Sequence, residues 1–178
     1  EGFILAKEAG VVAGIEVARE VFKRVDPAVV FEAKVADGDA VKVGDVVIRI
    51  QGNARSILGA ERLALNFMQR MSGVATTTRK AMDVLAGTPT RVLDTRKTTP
   101  GLRAFEKWAV RSGGGVNHRM GLYDMVLIKD NHVDYAGSMT AALAGVQAYF
   151  DGGEPRVPVV VEVRSMAELN EALAASES

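Results

Sequence analysis

The chain has 178 residues, 48% apolar and 25% charged, with 22 Lys/Arg balancing 22 Asp/Glu. This composition fits a globular protein of one large domain, or one domain and part of another. Balanced charge argues against a general nucleic-acid binder. The absence of cysteine excludes a disulfide framework and thiolate metal sites, and no apolar run approaches the roughly 18 residues of a membrane span.

In chain order, IEVAREVFKR (15–24) predicts a short amphipathic helix. VVFEAKV (29–35), DGD and VKVGDVVIRI (41–50) predict short strands around tight turns, because Asp-Gly supplies the positive φ that hairpins need. From Ser56 the apolar period becomes helical. Ile57, Leu58, Leu65, Phe67, Met68 and Met71 leave a broad apolar face, with an interruption expected at Ser72-Gly73. A second helix, 74–86, is expected to stop at Gly87-Thr88-Pro89.

After Pro89 strands and helices alternate. RVLD (91–94) predicts a strand, and Pro100 the start of a helix through LRAFEKWAVRS. Residues 123–128 predict an apolar strand. Ser138 is expected to cap a helix running to about Phe150. VPVVVEV (157–163) reads as a fully buried strand, and Ser165 as the cap of the last helix. This alternation implies a parallel sheet with right-handed crossovers. A closed barrel needs about 250 residues, so residues after 89 supply only part of one. Glu1 in place of Met, and a last helix pattern that stops where a strand is expected, predict a piece of a longer protein.

Polar residues recur where the predicted strands end. Thr95, Arg96 and Lys97 follow RVLD; Lys129, Asp130 and Asn131 follow MVLI; Glu162 stands near the end of VPVVVEV. Ligands of α/β barrels and open sheets bind at those ends. From Arg91 to His132 the sequence holds eight Lys/Arg against four Asp/Glu, and both histidines, His118 and His132. Arginine gives planar paired donors for carboxylate, and lysine a point charge for phosphate. The block therefore predicts a scaffold for a polyanionic small molecule. Asp94 also reads simply as the partner of a nearby cation. GGG (113–115) suits either a flexible loop or close backbone approach to a ligand. Asp130 and His132 are expected to order their loop rather than react. Lys129 at a strand end also allows a Schiff-base, aldolase-like reading. VADGDAVKVGDVVIRI resembles a half-repeat of biotinyl and lipoyl carrier domains, which leaves a non-enzymatic carrier or binding module as a further alternative. No second half follows, so it reads as a structural β element. Arg62 lies in the apolar helix GAERLALNF, its exposure open.

ILGAERLALNFMQRMSGVAT, LDTRKTTPGLRAFEKWAVRSGGGVNHRMGLYDMVLIKDNH and VVVEVRSMAELNEAL together resemble the quinolinate phosphoribosyltransferases, or carboxylating nicotinate-nucleotide pyrophosphorylases. The resemblance implies an α/β protein. Residues 1–88 would form an N-terminal α/β sandwich domain with long helices, incomplete at its start. Residues 89–178 would form the first part of an open α/β barrel. It implies conversion of quinolinate and phosphoribosyl pyrophosphate to nicotinate mononucleotide, pyrophosphate and carbon dioxide in NAD biosynthesis. It further implies magnesium bound mainly through phosphoribosyl pyrophosphate, a cytoplasmic location, and a homodimer with shared sites, higher assemblies being open. By motif, Arg62 would reach the partner's site. Thr95 would contact substrate, and Arg96, His118, Arg119 and Lys129 would hold the quinolinate carboxylates. Lys97 would meet phosphoribosyl pyrophosphate, and Glu162 the ribose or its magnesium. The family's LDN-type acidic strand end and late glycine-rich phosphate loops do not occur within this sequence.

Overall fold

Residues 1–176 are described by a computed structural model. The chain packs as two compact units, Glu1–His118 and the remainder from Arg119. In chain order the first unit holds β1 (Gly2–Leu5), β2 (Gly10–Val11), α1 (Ile15–Val25), β3 (Val30–Ala33), β4 (Ala40–Val41), β5 (Val46–Gln51), α2 (Ala54–Val84) and α3 (Arg103–Ser112). β5 is the central strand of the antiparallel sheet β1-β5-β3, and β2 pairs antiparallel with β4. Val47, Ile48 and Ile50 of β5 are buried against Ile15, Ala18 and Phe22 of α1 and against Ala60, Ala64 and Met68 of α2. Burying a side chain such as Phe22 or Ile48 is worth about 1.5–3 kcal/mol. The buried α2 residues Ala60, Ala64, Met68, Met71, Ala75 and Thr78 recur every three or four positions, the stripe of a helix lying along one packed face.

The carrier-like sequence folds as two equivalent turns. Asp39 accepts from Ala36 N, and Asp45 accepts from Lys42 N, each through its carboxylate at 2.8 Å. Each aspartate returns its own N–H to the same residue's carbonyl, at 3.1 Å. Gly38 and Gly44, at φ 98° and 92°, supply the left-handed position before each aspartate. The first turn pairs with Val12 through Gly38 N and Asp39 O; the second pairs with Ala6 through Gly44 N and Asp45 O. With Val41, Val47, Ile48 and Ile50 in the core, this segment is a structural part of the first unit.

Three expectations differ. α2 runs unbroken through Ser72-Gly73. Ser72 Oγ accepts from Ala13 N at 3.0 Å and donates to Ala13 O at 3.2 Å, so this hydroxyl ties the helix to the β2–α1 segment instead of ending it. RVLD forms one parallel bridge, Leu93 to Val116, rather than a strand. Pro100 does not open α3. It sits with Gly101 (φ 76°) in a turn closed by Leu102 N to Thr99 O at 3.0 Å, a type II arrangement, and the helix starts after it.

The second unit holds β6 (Val126–Ile128), α4 (Asp130–Ala136), α5 (Met139–Asp151), β7 (Val159–Val161) and α6 (Met166–Ser176). β6 and β7 are parallel, with Ile128 opposite Val161. This is the strand-helix-strand order of an α/β barrel. Ser138 caps α5 by accepting from Ala141 N, and Ser165 accepts from Glu168 N at the start of α6. Ile128, Val133 and Met139 form the core, packed by Leu143, Val146, Val161 and Ala172. VPVVVEV is shorter as a strand than its pattern predicts and is not fully buried: Val159 and Val163 are both 38% exposed. Among the described residues no helix is long and apolar enough to cross a membrane.

Candidate functional site

In the first unit, the DTRK segment is anchored at its first residue. Asp94 is joined to α3 by an ion pair with Lys107, and the two side chains are only 6% and 1% exposed. Asp94 Oδ1 also accepts from His118 N at 2.8 Å, and Lys107 Nζ donates to His118 O at 3.0 Å. With its amide oriented to donate, Asn117 reaches Asp94 Oδ2 at 2.9 Å and Lys107 O at 2.8 Å. Asp94 is therefore the partner of a cation, as its simplest reading held.

The next three residues leave this anchor as a tight loop. Thr95 Oγ1 accepts from Lys97 N at 3.1 Å, and Arg96 O accepts from Thr98 N at 2.9 Å and from Arg103 Nη2 at 3.4 Å. Thr95 and Lys97 are exposed and Arg96 is half-buried. Arg96 Nε is buried without a hydrogen-bond acceptor. A buried unpaired donor costs about 1–3 kcal/mol, and a carboxylate ligand at this position would remove that cost.

The following turn is held from α2. Arg70 reaches Thr99 Oγ1 at 2.8 Å and pairs with Glu106, which accepts from Thr99 N at 3.2 Å. Burial alone would raise the Glu106 carboxyl, but hydrogen bonds from Arg70 and Thr99 outweigh it and hold it below its ordinary value. Arg62 lies on α2 about 12 Å along the axis from Arg70, eight residues at 1.5 Å. It is exposed beside Leu58 and Leu63, themselves 69% and 52% exposed.

The triple glycine is packed against α2 rather than forming a flexible loop. A Cβ at Gly113 would stand 2.4 Å from Ala75 O and 2.6 Å from Thr78 Cβ, and one at Gly115 2.9 Å from Thr78. These glycines let the end of α3 lie directly on α2. Arg79 of α2 adds a hydrogen bond to Gly113 O at 3.1 Å.

In the second unit, Arg119 is half-buried and its Nη1 reaches Met125 O at 3.5 Å. Asp124 accepts from Met120 N and Gly121 N at 2.7 and 2.8 Å, closing the loop between Arg119 and β6. Lys129 follows β6 and Glu162 follows β7. Their side chains, 40% and 55% exposed, meet at 3.3 Å. Lys129 N donates to His132 Nδ1 at 2.9 Å, so His132 serves the start of α4, as its loop-ordering role predicted. Lys129 is thus part of a half-exposed ion pair at the strand ends.

The structure therefore brings Thr95, Arg96 and Lys97 onto one loop with the backbone of His118 anchored below it. In the second unit it brings Lys129 and Glu162 together at adjacent parallel strand ends, and in the first unit Arg62 is exposed on α2. Sequence reasoning missed Lys107, Asn117, Asp124 and the Arg70–Glu106 pair. A lysine among Phe105, Trp108 and Ala109 reads as the solvent side of an amphipathic helix, and nothing local marks it as buried.

Comparison with known proteins agrees along the whole chain. Residues 1–72 match the quinolinate phosphoribosyl transferase N-terminal domain, and residues 74–178 match the C-terminal domain of the same family. The chain is 51% identical over 173 residues to quinolinate phosphoribosyltransferase [decarboxylating] 1b of Nicotiana tabacum, covering 97% of this chain and 49% of that protein. It is 45% identical to a probable nicotinate-nucleotide pyrophosphorylase [carboxylating] of Synechocystis, covering 96% and 57%. The crystal structure of NadC from Streptococcus pyogenes superposes with a TM-score of 0.90 at 48% identity, covering 96% of this chain and 60% of that one. The chain spans about half the length of the curated relatives it matches. With both domain models matched in order and the fold shared, the chain belongs to the quinolinate phosphoribosyl transferase family.

Proposed function

We propose that the protein transfers phosphoribosyl from phosphoribosyl pyrophosphate to quinolinate with decarboxylation, giving nicotinate mononucleotide, pyrophosphate and carbon dioxide in NAD biosynthesis. One observation carries this reading: a cation and a carboxylate, Lys129 and Glu162, side by side at the C-terminal ends of adjacent parallel strands, in a chain matched by both domain models of this family.

Arg96, His118, Arg119 and Lys129 hold the two quinolinate carboxylates. Thr95 shapes the loop, and Lys97 meets the phosphates of the second substrate. Quinolinate held this way presents its ring nitrogen to the ribose C1. The nitrogen–carbon bond forms as the carbon–oxygen bond to pyrophosphate breaks, and that electron pair leaves with pyrophosphate. Positive charge gathers on the ribose, where the Glu162 carboxylate stabilises it. The carboxylate adjacent to the now cationic nitrogen then departs as carbon dioxide. Its electron pair stays on the ring carbon, which takes a proton from solvent.

Among the described residues no three His, Cys, Asp or Glu converge as a metal cage. One carboxylate, Glu162, suits a magnesium ion whose other ligands are phosphate oxygens and water. Magnesium so bound would neutralise charge on the leaving pyrophosphate.

The barrel portion begins at residue 89 in this reading, just beyond the end of α2 at Val84. A cytoplasmic location is consistent with the absence of cysteine. The assembly is a homodimer with shared sites, supported by the exposure of Arg62 beside Leu58 and Leu63 on α2.

The test is product analysis on the full-length protein. Nicotinate mononucleotide and carbon dioxide are expected in equal amounts with pyrophosphate, only when quinolinate is present. Pyrophosphate release indifferent to quinolinate would refute the reading. Mixed Arg62→Ala and Lys129→Ala subunits, each inactive alone, are expected to recover about a quarter of wild-type activity, since a hybrid dimer keeps one intact site. No recovery after confirmed subunit exchange would refute the shared site.

A further inference from the structure

Lys107 takes no part in the reaction just described, yet it is the most buried charged side chain named in the core, at 1% exposure. Its ion pair with Asp94 is not explained by stability alone, because apolar residues of similar volume stabilise such a position as well or better. What distinguishes the pair is where its hydrogen bonds go. They run to the carboxylate of the residue before Thr95, to both backbone groups of His118, and through Asn117 back to the Lys107 carbonyl. Two segments 24 residues apart are thereby fixed at adjacent positions: the one that carries Arg96 and Lys97, and the one that carries His118.

We propose that Lys107, acting through Asp94, is a positioning residue that sets the spacing between the Thr95–Lys97 loop and His118, and so the fit of the site to a planar dicarboxylate. The proposal rests on the quinolinate reading for the identity of the ligand, but not for the clamp itself. Lys107 touches no substrate. It fixes the backbone from which the substrate cations project, and a shift of about 1 Å in such groups is enough to cost 10²-fold in rate.

The test separates folding from positioning. Lys107→Met leaves a buried carboxylate without its counter-charge and is expected to lower the melting temperature. Adding Asp94→Asn removes that charge, and the double variant is expected to recover most of the loss. Its quinolinate dissociation constant, measured by calorimetry on the full-length protein, is nevertheless expected to rise at least tenfold. Lys107→Arg keeps the charge but moves the donors, and is expected to fold with affinity weakened several-fold. Wild-type affinity in either the double variant or Lys107→Arg overturns the proposal. Hydrogen exchange at the His118 amide gives a readout that needs no ligand. That amide is expected to exchange at least tenfold faster in the double variant, and equal protection in both proteins overturns the clamp. A wild-type protein that binds no quinolinate defeats the functional reading alone, and the exchange result then decides the clamp.

Discussion

Arg96→Ala is expected to weaken quinolinate binding at least ~30-fold while leaving the fold as stable as before. Loss of one partner from a buried charge-assisted pair costs about 2–5 kcal/mol, which sets that lower bound. The fold is spared because the free protein gains nothing from Arg96 Nε, a buried donor with no acceptor. Removing such a group relieves a penalty instead of breaking a bond. The melting temperature should change by less than the 2–4 °C or so that 1 kcal/mol produces at this size, or rise. Calorimetric titration and thermal melting of the same preparation check both halves. Equal losses of affinity and stability would show that Arg96 serves the fold, and unchanged affinity would remove it from the site.

Gly113→Ala is expected to destabilise by about 3 kcal/mol, the upper end of the usual range for overpacking. The backbone is not the obstacle, since Gly113 has φ −75° and ψ −6°, which alanine adopts readily. The obstacle is steric: the new methyl would stand 2.4 Å from the Ala75 carbonyl oxygen, in a helix backbone that cannot yield. Gly59→Ala, in the same α2 but with nothing within 4 Å, is the control and is expected to stabilise by about 0.5–1 kcal/mol through helix propensity. Urea unfolding of both variants decides. If Gly113→Ala unfolds with the wild-type midpoint, α3 does not lie on α2 as described.

Local signals carried much of the fold. Ser138 and Ser165 cap the helices they precede, β3 and β6 fall within their apolar runs and β5 overruns its own by one residue, because capping and alternation are decided by neighbours in sequence. What failed was decided by distant partners. Ser72-Gly73 looks like a helix break until Ala13, 59 residues away, accepts and returns the Ser72 hydrogen bonds. GGG looks like a flexible loop until Thr78 and Ala75 are seen beneath it. For the site, residue types at strand ends pointed to the cations and to Glu162, and the Lys129–Glu162 pair followed from parallel strands. Lys107 was invisible because only its tertiary surroundings distinguish it from a surface lysine.

The two family models meet between residues 72 and 74, in the middle of a 31-residue helix about 46 Å long. The boundary between the two matched segments therefore falls inside one unbroken helix of the first unit. Inserting one residue there would turn everything C-terminal to it on α2 by about 100° and advance it 1.5 Å. Thr78 and Arg79 would swing away from Gly113 while Arg62 stayed in place. Exchange of halves between relatives must therefore preserve helical phase, and any change in length at this junction has to come in steps that return the same face.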